Sequence, residues 1–126
     1  MKIPENLLYT KDHEWVAFSD DTTAKVGITD FAQSALGDIV FVTLPEPGDE
    51  TAAGKPFAEV ESVKAVSEVF CPVGGTVAAV NDALNDAPES VNGDPYGAWM
   101  AEISGITAKE DLLDAAAYAA LCAKEA

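Results

Sequence analysis

The feature that most restricts the fold is the rhythm from Asp38 to Ile103, where short β-type runs alternate with Gly and Pro punctuation. Asp38 to Leu44, Pro56 to Val60, Val66 to Phe70 and Thr76 to Val80 are rich in β-branched and other apolar residues and too short for ordinary helices. Runs of this length between turn formers favour a small all-β sandwich or barrel. Upstream, His13 to Phe18 and Thr22 to Ile28 flank the acidic turn Ser19-Asp20-Asp21 and read as a hairpin. Gly37 to Val42 and Gly75 to Val80 are loosely alike, which suggests two similar β halves.

Helical signals are confined to the spaces around these runs. Thr29 is placed to cap a short helix through Leu36, with Asp30 in its positive first turn and Gly37 as a left-handed stop. Asn81 to Gly97 is rich in Asn, Asp, Pro and Gly and reads as a long surface connection with short helical turns. Thr107-Ala108-Lys109-Glu110 matches a capping box and predicts a C-terminal helical segment over about 107–124. Leu113, Ala117 and Leu121 would share its docked face, with Tyr118 and Cys122 beside them. A length of 126 residues predicts one domain, 1–126, with a β core over about 24–104.

Charge removes several function classes. Seven basic residues, all lysine, face 22 carboxylates, for a formal charge of −15. Nucleic acid and anionic membranes are therefore excluded as expected partners, because both demand a basic surface. Cys71, Cys122 and the lone His13 provide no metal-ligand pattern, and His13 beside Trp15 is expected to be structural rather than catalytic. Trp15, Phe41 and Trp99 are expected in the core or at its edge, since large aromatics bury the most area. The first residues carry neither a secretory signal nor an Arg-rich presequence, so the expected location is cytoplasmic, or the mitochondrial matrix if a presequence was removed.

The segment Val60-Glu61-Ser62-Val63-Lys64-Ala65 lies between two β runs and puts Lys64 at an exposed turn. With Gly48 to Gly54 before it and Pro72 to Val77 after it, this segment resembles the signature of lipoyl-bearing domains. In those domains a hairpin lysine carries lipoic acid in amide linkage. Biotin carriers usually place the lysine between methionines, whereas Val63 and Ala65 flank it here.

The resemblance extends through His13-Glu14-Trp15, Val26-Gly27-Ile28-Thr29, Leu36 to Val42, Leu44-Pro45, Val80-Asn81, Val91-Asn92 and Pro95-Tyr96. Taken together, these strings are similar to the H proteins of the glycine cleavage system. Two departures stand out: Pro95 to Trp99 is one residue shorter than the usual family pattern, and Met100 to Ile103 lacks a lysine often found there.

The resemblance implies a mainly β barrel-sandwich hybrid with an N-terminal hairpin, short helices and a C-terminal helix. It also implies a monomeric carrier rather than an enzyme, with lipoic acid attached to Lys64 and no catalytic residue of its own. The implied partners are a pyridoxal-phosphate glycine decarboxylase, a tetrahydrofolate-dependent aminomethyltransferase, a dihydrolipoyl dehydrogenase using FAD and NAD, and a lipoate ligase or lipoyl transferase. Glu14, Glu68 and Asp12 are candidates for holding the cationic end of the loaded arm, and Glu61 is a candidate for recognition by the ligase. Two other readings use the same fold: a relay passing lipoyl groups to 2-oxoacid dehydrogenases, and an unmodified binding module.

Overall fold

A computed structural model describes residues 1–125. In chain order the elements are β1 (Leu8–Tyr9), β2 (Glu14–Asp20), β3 (Thr23–Ile28), α1 (Asp30–Leu36), β4 (Ile39–Thr43), β5 (Glu50–Thr51), β6 (Lys55–Ser62), β7 (Val66–Cys71), β8 (Val73–Val80), α2 (Ala83–Asp86), α3 (Ser90–Gly93), β9 (Ala101–Lys109) and α4 (Ala115–Glu125). They form a six-stranded sheet in the order β1-β2-β3-β9-β8-β5 and a three-stranded sheet in the order β4-β6-β7. All the pairings are antiparallel. The expected mainly β architecture with a C-terminal helix is therefore present, and the two loosely similar β runs lie in opposite sheets.

Alternation along the strands builds the interior. Ala58, Val60 and Val69 of the small sheet pack with Ile28, Val42, Leu84, Val91 and Met100. Val16, Val26, Val73, Val77 and Ile103 form a second cluster on the large sheet, and Phe57 packs against both. Burying side chains of this kind contributes roughly 1.5–3 kcal/mol each. The Asn81 to Gly97 connection runs through two short helical turns, yet Leu84 and Val91 point inward and help close the first cluster.

The N-terminal part folds as its local signals require. Thr29 caps α1, its hydroxyl accepting the Ala32 amide at 3.3 Å, and Gly37 ends the helix at φ 85°. Gly27 is needed for a different reason: a Cβ there would stand 2.8 Å from the Trp15 indole. Trp15 fills that gap and donates its ring N–H to the Pro95 carbonyl at 3.1 Å, so the Pro95 to Trp99 stretch is tied to the hairpin.

Three sequence expectations need correction. Thr107 to Glu110 does not open a helix: β9 continues through Lys109, paired with β8, and α4 begins only at Ala115. Eight-residue β8 supplies a partner for that stretch, and ladder pairing outweighs a local capping pattern. The helix is started instead by Asp114, whose carboxylate accepts the Ala117 amide at 2.8 Å. Its docked face is Tyr118 and Cys122 with half-buried Leu121; Ala117 is exposed, and Leu113 precedes the helix, exchanging backbone hydrogen bonds with Tyr9. Phe41 is not a core residue, for it is 56% exposed. β4 carries a bulge between Ile39 and Phe41, and the extra residue rephases the strand so that Phe41 faces solvent. Trp15 is buried and Trp99 half-buried, as expected.

Helix α4 is tied to the rest by one hydroxyl. Tyr118 stacks on Tyr9 with ring centroids 4.5 Å apart, and its oxygen lies 2.6 Å from Thr29 Oγ1 and 2.7 Å from His13 Nδ1. Tyr118→Phe removes both bonds while keeping the ring. Losing a buried network of this kind is expected to cost about 1–3 kcal/mol, read in urea denaturation as a lower midpoint with an unchanged slope.

Candidate functional site

The β6–β7 hairpin projects Lys64 at its tip, and the turn is rigid for a stated set of reasons. The Ser62 amide donates to the Ala65 carbonyl at 2.7 Å, and the Ser62 hydroxyl accepts the amides of Lys64 and Ala65 at 3.3 and 3.1 Å. The Val63 amide donates to the Asp38 carbonyl at 3.1 Å, which pins the turn to the α1–β4 connection. Beside it, Lys64 Cε lies at ordinary contact distance, 3.6 Å, from where a Cβ on Gly37 would stand. Lys64 itself is exposed and, among the described residues, has no ion-pair partner. The base is fixed and the amine is free, which is the arrangement a covalently tethered arm requires.

The candidate acids are distributed along the same hairpin. Glu61 is exposed one rung below the turn, where β6 pairs it with Phe41 on one side and Val66 on the other. Glu68 is exposed on β7 and pairs with Glu59. Glu14 and Asp12 lie farther from the tip, with the Glu14 carboxylate close to the Phe70 backbone amide. From Val66 to Phe70 is four strand steps, about 13 Å. An arm tethered at Lys64 must therefore fold back along β7, past Glu68, to meet Glu14.

Glu14 is not a surface acid. It is only 3% exposed, and the Thr10 hydroxyl donates to its carboxylate at 2.5 Å. Burial pushes its pKa up to about 7; the Thr10 hydrogen bond and the nearby Phe70 amide oppose this, while the charges of Asp12 and Glu110 reinforce it. Carboxylate oxygens of Asp12, Glu14 and Glu110 lie within 4.8 Å of one another, whereas Glu68 is not in that group. Glu110 also lines a groove of about 500 Å³ with Lys11, Ala53, Lys109, Asp111 and Leu113, and burial raises its pKa too. Sequence reasoning missed Glu110 because it was assigned to the capping box. The signal that could have found it is the β-type run Ile103 to Thr107 leading up to it, which argues for a strand continuing toward Lys109.

His13 separates Asp12 from Glu14 and is the one non-glycine residue with positive φ, 69°, among those described. Its ring stacks on Phe31 at 4.3 Å, and Nε2 meets Glu125 Oε1 at 3.0 Å. With a neutral imidazole, one polarity satisfies the whole chain: Thr29 donates to Tyr118, Tyr118 to Nδ1, and Nε2–H to Glu125. His13 therefore works as a structural residue that presents the two acids on either side of it.

The hairpin thus presents a solvent-exposed lysine on a fixed β turn at one end and a recessed acidic site toward the other. The glycine cleavage H-protein family model matches residues 7–125. The chain is 58% identical over 125 residues to a glycine cleavage system H protein of Lachnoclostridium phytofermentans, covering 99% of this chain and 98% of that one. It is 56% identical to one of Mycobacterium avium, covering 92% of this chain and 93% of that one. A crystal structure of a glycine cleavage system H protein from Mycobacterium marinum superposes with a TM-score of 0.89 at 43% identity, covering 96% of this chain and 99% of that one. The chain belongs to the glycine cleavage H-protein family.

The buried Glu14 has a thermodynamic signature. Between its unfolded pKa near 4.5 and its folded value of about 7, the native state holds a proton that the unfolded chain releases. Its contribution to stability is therefore full below the unfolded pKa and declines as pH rises through about 7, by on the order of 3 kcal/mol. Urea denaturation of wild type and Glu14→Gln at about pH 4.5 and about pH 8 is expected to show this decline in wild type and its absence in the variant.

Proposed function

We propose that the protein is the lipoyl carrier of a glycine cleavage system and that Lys64 is its attachment point. The observation that carries the reading is the Ser62-braced turn, which holds an unpaired lysine in solvent at the end of a hairpin. The geometry fits an acyl group on Nζ, since the stem passes over Gly37 and nothing encloses the amine. When attached, the lipoyl group supplies a disulfide that opens to take up an aminomethyl unit and a dithiol that must later be reoxidised.

The protein's own residues mount, guide and hold. Ser62 and the Asp38 carbonyl fix the turn. Glu68 stands along the return path, and Asp12 and Glu14 offer carboxylates to a cationic amine at its end. A charge-assisted hydrogen bond to such an amine would stabilise the ionised form of Glu14 and offset the cost of its burial. The partners in this reading are a pyridoxal-phosphate decarboxylase, an aminomethyltransferase using tetrahydrofolate, a dihydrolipoyl dehydrogenase and a lipoyl-attaching enzyme, all visited by a monomer without catalytic residues of its own. Glu61, beside the turn, belongs to the surface that the attaching enzyme reads. No helix among the described residues is long and apolar enough to cross a membrane.

Incubation with lipoate ligase, lipoic acid and ATP is expected to add one lipoyl mass to wild type, located at Lys64 by peptide mapping, and none to Lys64→Arg. Absence of the increment under conditions that modify a known lipoyl domain would favour an unmodified binding module. Glu14→Gln is expected to be lipoylated normally but, once loaded by the decarboxylase, to lose its cargo faster than wild type. An unchanged rate of loss would remove Glu14 from the holding role.

A further inference from the structure

The loop that carries Asp12 and Glu14 joins β1 to β2 and has an unusual residue at its critical position. The two strands pair through Leu8 with Val16 and Tyr9 with Trp15. The next rung is closed by the Thr10 amide, which donates to the Glu14 carbonyl at 3.0 Å. Lys11, Asp12 and His13 are left to make the turn, and the His13 amide donates back to the Thr10 carbonyl at 3.2 Å. Three-residue hairpin loops of this kind end in a left-handed residue, ordinarily glycine. Here that residue is His13, at φ 69°.

Glycine would make the same turn without the steric cost of a Cβ, so the turn alone does not account for histidine. Histidine adds a ring with attachments outside the loop. One face stacks on Phe31 of α1, Nδ1 lies 2.7 Å from the Tyr118 hydroxyl, and Nε2 lies 3.0 Å from Glu125. Tyr118 is itself fixed, stacked on Tyr9 and 2.6 Å from Thr29 Oγ1. With glycine in place of His13 the loop could keep its shape but would lose every side-chain tie at this position.

The tie reaches the acids through Thr10. Its hydroxyl oxygen accepts the amides of Asp12 and Glu14, each at 3.2 Å, which leaves its proton for the Glu14 carboxylate at 2.5 Å. Loop conformation therefore decides where that hydroxyl points and how the Glu14 carboxylate stands. Carboxylate oxygens of Asp12, Glu14 and Glu110 lie within 4.8 Å of one another. Acids at this spacing disfavour one another's ionisation, and a loop free to move would relieve the repulsion by separating them.

We infer that Tyr118 and His13 are positioning residues for the cargo: the Tyr118 hydroxyl and the His13 ring hold Asp12 and Glu14 in the grouping that receives the cationic amine of the loaded arm, so that α4 sets how long the cargo is kept. The inference rests on the reading of Asp12 and Glu14 as the holding acids. It adds a remote control to that site, since neither Tyr118 nor His13 belongs to the acidic group.

The test compares three variants of the full chain. His13→Gly suits the backbone and deletes the ring, whereas Tyr118→Phe deletes the hydroxyl and keeps the stack. Leu121→Ala weakens the packing of α4 against the same apolar cluster without removing either bond. Each protein is lipoylated, loaded by the decarboxylase with glycine and separated from that enzyme, and loss of the aminomethyl unit is followed by mass spectrometry. His13→Gly and Tyr118→Phe are expected to lose it about tenfold faster than wild type, as for loss of one charge-assisted hydrogen bond. The double variant is expected to be no faster than the worse single one, because both act through one chain of bonds. Leu121→Ala is expected to show a lower urea midpoint and the wild-type rate of loss. In the unlipoylated chain, carbon-13 NMR is expected to find the Glu14 carboxyl titrating at about 7 in wild type and Leu121→Ala. In His13→Gly and Tyr118→Phe its titration is expected to move toward the ordinary carboxylate range, as Glu14 meets water and leaves Asp12 and Glu110.

Retention of cargo by His13→Gly to within twofold of wild type would overturn the inference, because backbone conformation alone would then suffice. Loss from Leu121→Ala as fast as from Tyr118→Phe would also overturn it, making helix docking in general the cause. So would a Glu14 titration unchanged in both His13→Gly and Tyr118→Phe. If Glu14→Gln keeps its cargo as long as wild type, the holding reading itself falls and the inference with it, whatever the titration shows.

Discussion

The hydroxyl of Tyr118 is the point at which three distant parts of the chain are held together. It reaches the N-cap of α1 through Thr29 and the loop before β2 through His13, while its ring lies on Tyr9. His13 sits in a backbone conformation that non-glycine residues seldom adopt, and such conformations persist only where their surroundings impose them. Here the surroundings are Phe31 on one face of the ring and Tyr118 and Glu125 at its nitrogens. The placement of Asp12 and Glu14 follows from this, since His13 is the peptide link between them. The C-terminal helix therefore contributes to the acidic site without lining it.

Signals that act over a few residues were legible in the sequence. The hairpin around Ser19-Asp20-Asp21, the Thr29 cap, the Gly37 stop and the Lys64 turn depend on neighbours in the chain, and each is where its residues place it. Features decided by distant partners were not. Thr107 to Glu110 has the local chemistry of a helix start, but β8 lies alongside and claims the backbone through Lys109. Phe41 has the chemistry of a core residue, but a register shift against β6 reverses its direction. Glu14 was legible as a candidate from its motif, while its burial and its proximity to Glu110 depend on how the loop before β2 meets the end of β9, contacts that no short-range pattern encodes.

The distribution of charge has a similar logic. With a formal charge of −15, most carboxylates keep the surface hydrated and mutually repelling. Glu14 differs because water has been withdrawn from it, so a hydrogen bond or a nearby cation changes its protonation far more than it would that of an exposed neighbour. Glu59 and Glu68 differ in another way: strand register sets them opposite each other whatever their charge. The same residue type thus meets three environments, fixed respectively by solvent, by burial and by backbone pairing.

The hairpin keeps its two ends chemically unlike. Near the turn its outer face is apolar and acidic and open to solvent; toward its base lies the recessed carboxyl of Glu14, about four strand steps beyond Val66. Paired strands transmit little bending over so short a span, so a substitution at one end does not reshape the other. Substitutions near the turn can therefore change the surroundings of Lys64 while the recessed site at Glu14 stays as it is, and the reverse. One rigid beam supports two independently adjustable identities.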